Sequence, residues 1–309
     1  MNDTHVTTGR WKLGLFLSIT AALMWGLLPT LLKILVANID AVAITWYRLV
    51  LAFAILFVFL AIKRQLPNFR QLNVRYLTLL MVVCVGLCVN YITYIWGIQI
   101  VGPGPAQVII QTNVVLVILG GVFIYGEGFT KIQTLGLMGI ITGLVMFFHS
   151  RLIEIFSSIS EYSLGVGWLL LSATALAVYV LAQKQLLVKF NSLQISMVVF
   201  GTGAAILFPV AIGAVVQIAH LDWTNIALLL LCVGTTLGAF GSFAEALQHW
   251  EATKITAVLS TGPLIALAIA EFTVWLFPGI FEIDPISSLS MVGAIVVVVG
   301  SYLVARKRD

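Results

Sequence analysis

The feature that most constrains this chain is a series of apolar stretches of roughly 18 residues or more, each long enough to cross about 30 Å of hydrocarbon. A buried helix in a water-soluble protein is shorter and carries a polar stripe on one face. A transmembrane β-barrel needs alternating runs of about ten residues. Neither pattern is present here, and a lone segment in lipid must satisfy its own backbone hydrogen bonds. Helix is therefore the expected conformation throughout. Only 9% of the residues are charged, against roughly 25% in a soluble domain that must hold a water layer.

The expected spans lie near 13–36, 42–62, 76–98, 105–126, 131–149, 164–187, 193–217, 223–247, 254–277 and 287–305. The first is too long for a signal-peptide core and lacks a small-residue cleavage site after it. Ten spans place both termini on one side, and basic residues favour the cytoplasm. With the N-terminus inside, the inner segments collect Arg10, Lys12, Lys63, Arg64, Arg70, Arg75, Lys131, Lys184, Lys189, Lys254, Arg306, Lys307 and Arg308. The outer loops hold only Arg151, with Lys33 near an outer helix end. The net charge of +4 thus reads as membrane topology and not as a nucleic-acid surface.

The two halves resemble each other. Lys33 and the later Ala54-Ile55-Leu56-Phe57 match Lys184 and Ala205-Ile206-Leu207-Phe208 at an offset of roughly 150 residues. Gly136 and Gly143 match Gly293 and Gly300 at a slightly longer offset, which places an insertion around Pro278-Gly279-Ile280-Phe281-Glu282. Each half has an odd number of spans, so the second enters the membrane from the opposite side. Inverted repeats of this kind are typical of secondary transporters, with the substrate site where they meet. The expected organisation is a first five-helix repeat over 1–149, an external linker over 150–163 and a second repeat over 164–309.

Several motifs then point to a family. The first span reads Ala21-Ala22-Leu23-Met24-Trp25-Gly26, the second carries Trp46-Tyr47-Arg48, and the fourth ends Tyr125-Gly126-Glu127. With the Gly-x6-Gly spacing of the fifth span and the duplication, the chain resembles EamA-type members of the drug/metabolite transporter superfamily over about residues 13–305. That resemblance implies a ten-helix inverted-repeat carrier, often an exporter of amino acids or related small metabolites. The chain departs from the family pattern at Asn113, where a proline is common early in the fourth span, whereas Pro263 keeps it in the ninth. The acid that usually closes the ninth span is displaced to Asp284, and Glu271 lies within the helix instead.

Charges at mid-membrane cost a few kcal/mol on insertion scales, so each wants a partner or a wet cavity. Arg48 and Glu271 both fall about 10 Å below the outer surface by residue count. They read as an ion pair, or as two groups facing one cavity. Arg48 would hold a substrate carboxylate and Glu271 a substrate amine or a coupling proton; a purely structural salt bridge is the alternative. Lys33 and Lys184 either snorkel to opposite interfaces or mark the two mouths of a pathway, with Glu245 near the depth of Lys184 as an inner-gate partner.

Uncharged polar residues recur one helical turn apart: Asn90 with Tyr94, Gln107 with Gln111, and Tyr179 with Gln183. Amides seldom face lipid, so these groups are either interhelical bonds or the lining of a polar cavity. Trp25, beside Gly26 and ahead of Pro29, offers an aromatic wall. Cys84, Cys88 and Cys232 read as small buried apolar groups. His149 and His249 lie near span ends, which disfavours a histidine relay, and there is no Walker sequence.

The expected function is a secondary carrier of a small polar or amphipathic metabolite in the cytoplasmic membrane, acting in export, with protons as the candidate coupling ion. No cofactor, metal or nucleic acid is expected. A membrane-embedded enzyme or a channel-like pore is the alternative. The first would need a clustered nucleophile or metal set, and the second would need rings of charge.

Overall fold

The protein was analysed as a computed structural model that describes residues 10–68, 73–125, 130–150, 160–186, 189–218, 221–250, 255, 258–283 and 286–305. Within them the chain forms α1 (Trp11–Val36), α2 (Ala41–Ile62), α3 (Val74–Val101), α4 (Pro103–Ile109), α5 (Thr112–Tyr125) and α6 (Lys131–Phe147). It continues with α7 (Glu161–Leu186), α8 (Ser192–Ile218), α9 (Trp223–His249), α10 (Gly262–Leu276) and α11 (Ser288–Ala305). No strand occurs among the described residues. Six segments there are long and apolar enough to cross a membrane: 11–36, 41–62, 74–101, 103–124, 161–183 and 223–243. Shorter apolar helices cover 131–147, 193–209, 262–276 and 288–304.

Local chemistry sets the helix starts. Asp40 caps α2 by accepting from the backbone N–H of Val42 at 2.8 Å, and Asn73 caps α3 by accepting from that of Tyr76 at 3.1 Å. Thr130 and Gln133 form a reciprocal capping box at α6. The stop between α3 and α4 is Gly102, whose φ of 92° lies in the region that glycine enters without a Cβ clash. Pro103 then occupies the first turn of α4, where a missing N–H costs nothing.

The sequence-based fourth and ninth spans are both interrupted. Residues 110–111 form a turn between α4 and α5, and residues 260–261 form another just before α10. The two turns are 150 residues apart, at the offset already seen in the sequence.

Packing is pairwise. α3 lies chiefly against α7, α6 against α11, α1 against α9 and α2 against α8. α1 also meets α10, α5 meets α7, and α4 meets α10. One core cluster gathers around Leu32, Leu35, Ile44, Ile95, Ile98 and Leu169. A second gathers around Leu60, Val83, Leu186, Ile195, Val199 and Phe200. Large apolar side chains such as Phe16, Phe123 and Phe272 point outward, as expected where the solvent is lipid. Trp11, Trp223 and Trp275 are exposed at helix ends, the level of an interfacial aromatic belt.

Among the described glycines, those pressed hardest against partner backbone lie where α6 meets α11. A Cβ on Gly143 would lie 2.7 Å from the Gly293 carbonyl oxygen, and one on Gly300 would lie 2.7 Å from the Gly136 carbonyl oxygen. The two Gly-x6-Gly faces therefore press backbone against backbone within the chain, as small residues allow. Polar bonds close both ends of this contact. Ser290 Oγ donates to the Phe147 carbonyl at 2.8 Å, and Gln133 Nε2 donates to the Val304 carbonyl at 3.4 Å.

Candidate functional site

Arg48 is the most unusual residue of the bundle. It lies on the second turn of α2 and is only 4% exposed. One Nη donates to Thr236 Oγ1 on α9 at 3.0 Å, and the guanidinium carbon sits 4.8 Å from the ring centre of Tyr91 on α3. Thr236 can accept this bond because its own hydroxyl proton goes to the Cys232 carbonyl at 2.8 Å. Arg48 Nε is buried without a partner, and among the described residues no carboxylate reaches the guanidinium. Burying a charge without an opposite charge is costly, and a cation–π contact offsets only part of that cost.

The structure does not bring Arg48 and Glu271 together. Equal depth does not imply equal direction, and Glu271 instead lines a cavity of about 380 Å³ with Lys33, Pro103, Gly104, Leu267 and Glu282. Arg48 is not part of that wall. This cavity lies at the end of the bundle where α1, α3 and α10 finish. Lys33 Nζ donates to the Gln99 carbonyl on α3, so this cation both reaches toward the helix end and faces the cavity.

The paired polar residues divide by role. Asn90 is bound up in packing: its Nδ2 donates to Ser172 Oγ at 2.8 Å and to the Ser172 carbonyl at 3.0 Å. Ser172 Oγ in turn donates to the Asn90 carbonyl at 3.1 Å. Asn90 is thus a fastening between α3 and α7. We expect Asn90→Leu to lower the thermal midpoint of the purified protein by several degrees, which a melting curve in detergent reads. An unchanged midpoint would show that these bonds contribute nothing net.

Gln107 Nε2 donates to the Trp25 carbonyl at 3.1 Å and so ties α4 to α1. The Trp25 ring stands edge-on to Phe240 at 5.5 Å and tilts toward Phe243 at 5.9 Å, which packs it against α9. Gln111 falls in the turn between α4 and α5, half-buried. Tyr94 is half-buried one turn beyond Asn90 and packs on the first core cluster. Tyr179 is buried in the second cluster, with Gln183 half-buried a turn later. Glu245 bonds its Oε1 to His249 Nε2 at 3.1 Å. The side chain of Lys184, its expected gate partner, lies outside the described residues, as do Arg151, Lys254 and Asp284.

Three elements of the site were not foreseen from the sequence. Tyr91 and Thr236 around Arg48 read as ordinary helix residues. The turns at 110–111 and 260–261 did leave a signal: Gln111-Thr112-Asn113 and Ser260-Thr261-Gly262-Pro263 interrupt apolar runs at corresponding positions of the two halves. At these breaks, side chains add bonds to the carbonyls of the preceding turn. Thr112 Oγ1 donates to the Ile109 carbonyl at 2.8 Å, Asn113 Nδ2 to the Ile110 carbonyl at 2.7 Å, and Thr261 Oγ1 to the Val258 carbonyl at 2.6 Å. Cys84, Cys88 and Cys232 are free and buried, and no group of metal-ligating side chains occurs among the described residues.

Comparison with known proteins places this architecture. An uncharacterized inner membrane transporter of Escherichia coli K12, YhbE, is 34% identical over 291 residues, covering 94% of this chain and 90% of that protein. An uncharacterized transporter of Haemophilus influenzae is 32% identical over 296 residues, covering 95% and 94%. A solved crystal structure superposes with a TM-score of 0.60 at 17% identity over 96% of both chains, a likeness of fold. The sequence model of the EamA-like transporter family matches residues 12–149 and 163–306, and the chain belongs to that family of membrane transporters.

Proposed function

We propose that this transporter is a secondary carrier of ten membrane helices, built as two inverted five-helix repeats over 1–149 and 164–309 with an external linker at 150–163. It moves a small polar or amphipathic metabolite, an amino acid or a similar compound, outward across the cytoplasmic membrane by alternating access. Both termini are cytoplasmic, as the lysine and arginine distribution favours. Protons are the candidate coupling ion. A channel or an intramembrane enzyme is disfavoured by the absence of any sequence signal for charge rings, a nucleotide loop or a nucleophile cluster.

The observation that carries this reading is the symmetry of the packing. Exchange of the halves turns the α1–α9 contact into the α7–α3 contact, and the α1–α10 contact into the α7–α5 contact. The α2–α8 and α6–α11 contacts map onto themselves. The paired helix breaks at 110–111 and 260–261 obey the same exchange. A two-fold seam flanked by discontinuous helices is the arrangement in which one repeat can rock against the other around a central site.

The test is counterflow in proteoliposomes with radiolabelled amino acids and related metabolites. Saturable counterflow is expected. Flux that does not saturate would favour a pore, and a chemically altered product would favour an enzyme. Under an imposed pH gradient, Glu271→Gln is expected to remove the gradient's effect while exchange persists. Unchanged gradient-driven uptake would remove Glu271 from proton coupling.

A further inference from the structure

We infer that the Arg48 guanidinium is the anchor for an anionic group, and that the cargo of this carrier is a small organic anion or a zwitterion bound through its carboxylate. The identification of the ligand as cargo rests on the carrier reading; the anion site itself rests on the geometry of Arg48.

Three observations on Arg48 converge. The side chain is more than nine-tenths buried, and its Nε has no acceptor. Among the described residues its hydrogen bond goes to a neutral hydroxyl, Thr236 Oγ1. Its other close partner is the Tyr91 ring, 4.8 Å from the guanidinium carbon, which supplies no carboxylate or carbonyl acceptor. A buried guanidinium with an unused Nε donor is a group that carboxylates satisfy by charge-assisted bonds. Lys33, by contrast, donates to a backbone carbonyl at a helix end.

The position of the site fits this use. Arg48 and Tyr91 come from α2 and α3, within residues 12–149, whereas Thr236 comes from α9, within residues 163–306. An anion bound here therefore bridges the two matched stretches. The nearby hydroxyl and aromatic ring add contacts for an uncharged remainder of the ligand, but they add no second positive charge. The site thus suits one negative group better than two.

The experiment is thermal unfolding of the purified full-length protein against a panel of matched probes. The panel contains amino acids and the amines left by removing their carboxylates, mono- and dicarboxylates, phosphomonoesters, and chloride as the inorganic control. Among carboxylate-bearing probes, one or more should raise the midpoint, and the corresponding amines should not. In Arg48→Gln the apparent affinity should fall at least about tenfold, the loss of one charge-assisted bond. Arg48→Lys should retain part of the shift. Equal stabilisation by amines, retention of the full shift in Arg48→Gln, or no shift from any probe would overturn the proposal. Stabilisation by phosphomonoesters alone would overturn the carboxylate assignment. Counterflow of the same probes separates the two readings. Binding without counterflow would leave the anion site standing and sink the carrier, whereas counterflow of a purely cationic compound would do the reverse.

Discussion

Gly143→Leu is expected to abolish recovery of folded, monodisperse protein, and Gly143→Ala is expected to lower stability already. A Cβ at this position would sit 2.7 Å from the Gly293 carbonyl oxygen and 2.7 Å from the Val297 amide nitrogen. These are backbone atoms that cannot rotate away, so α6 and α11 must separate. Overpacking costs about 1–3 kcal/mol where side chains can adjust. Here nothing adjusts, and the leucine should exceed that range. Separation would also stretch the Ser290–Phe147 and Gln133–Val304 bonds at the two ends of the contact. Gly167 on α7 is the control, because a Cβ there meets no heavy atom within 4 Å. Size-exclusion profiles and melting curves of Gly143→Ala, Gly143→Leu and Gly167→Leu check this directly. A Gly143→Leu protein that elutes and melts like the parent would contradict the packing described.

Arg48→Met is expected to leave the protein as stable as before, or to stabilise it by about 1–3 kcal/mol, while transport falls to background. The sign follows from the balance of terms. An isolated cation near the middle of a bilayer costs about 2.5–3.5 kcal/mol even on lenient insertion scales. Against that stand one bond to a hydroxyl and one ring contact, together of similar size. Methionine fills much of the same volume and needs no acceptor, and exchanges of buried charge for packed apolar groups are commonly neutral or stabilising. Arginine kept for scaffolding would behave oppositely. A midpoint that falls sharply in Arg48→Met, with loss of the folded fraction, would assign the residue to structure.

Much of the fold was legible because lipid leaves a backbone few options. Apolar runs of span length give helices. What escaped was direction around each helix axis. Residue count placed Arg48 and Glu271 at equal depth, but their azimuths depend on which neighbours α2 and α10 choose, and that is a property of the whole bundle. The same holds for Asn90, whose spacing with Tyr94 does not reveal its partner Ser172 across the α3–α7 contact. The helix breaks left a polar signal that does not by itself dictate a break. A run such as Ile109-Ile110-Gln111-Thr112-Asn113 can stay helical, and it opens only where neighbours and side chains satisfy the freed carbonyls.

The α6–α11 contact carries one more implication. Gly136 faces Gly300 while Gly143 faces Gly293, so each helix offers the other the same surface that it receives. Such a patch is isologous in the sense used for two-fold dimers. The same contact would close as well between two separate helices as within one chain. Joined in one chain, the two faces meet without a diffusional search for a partner.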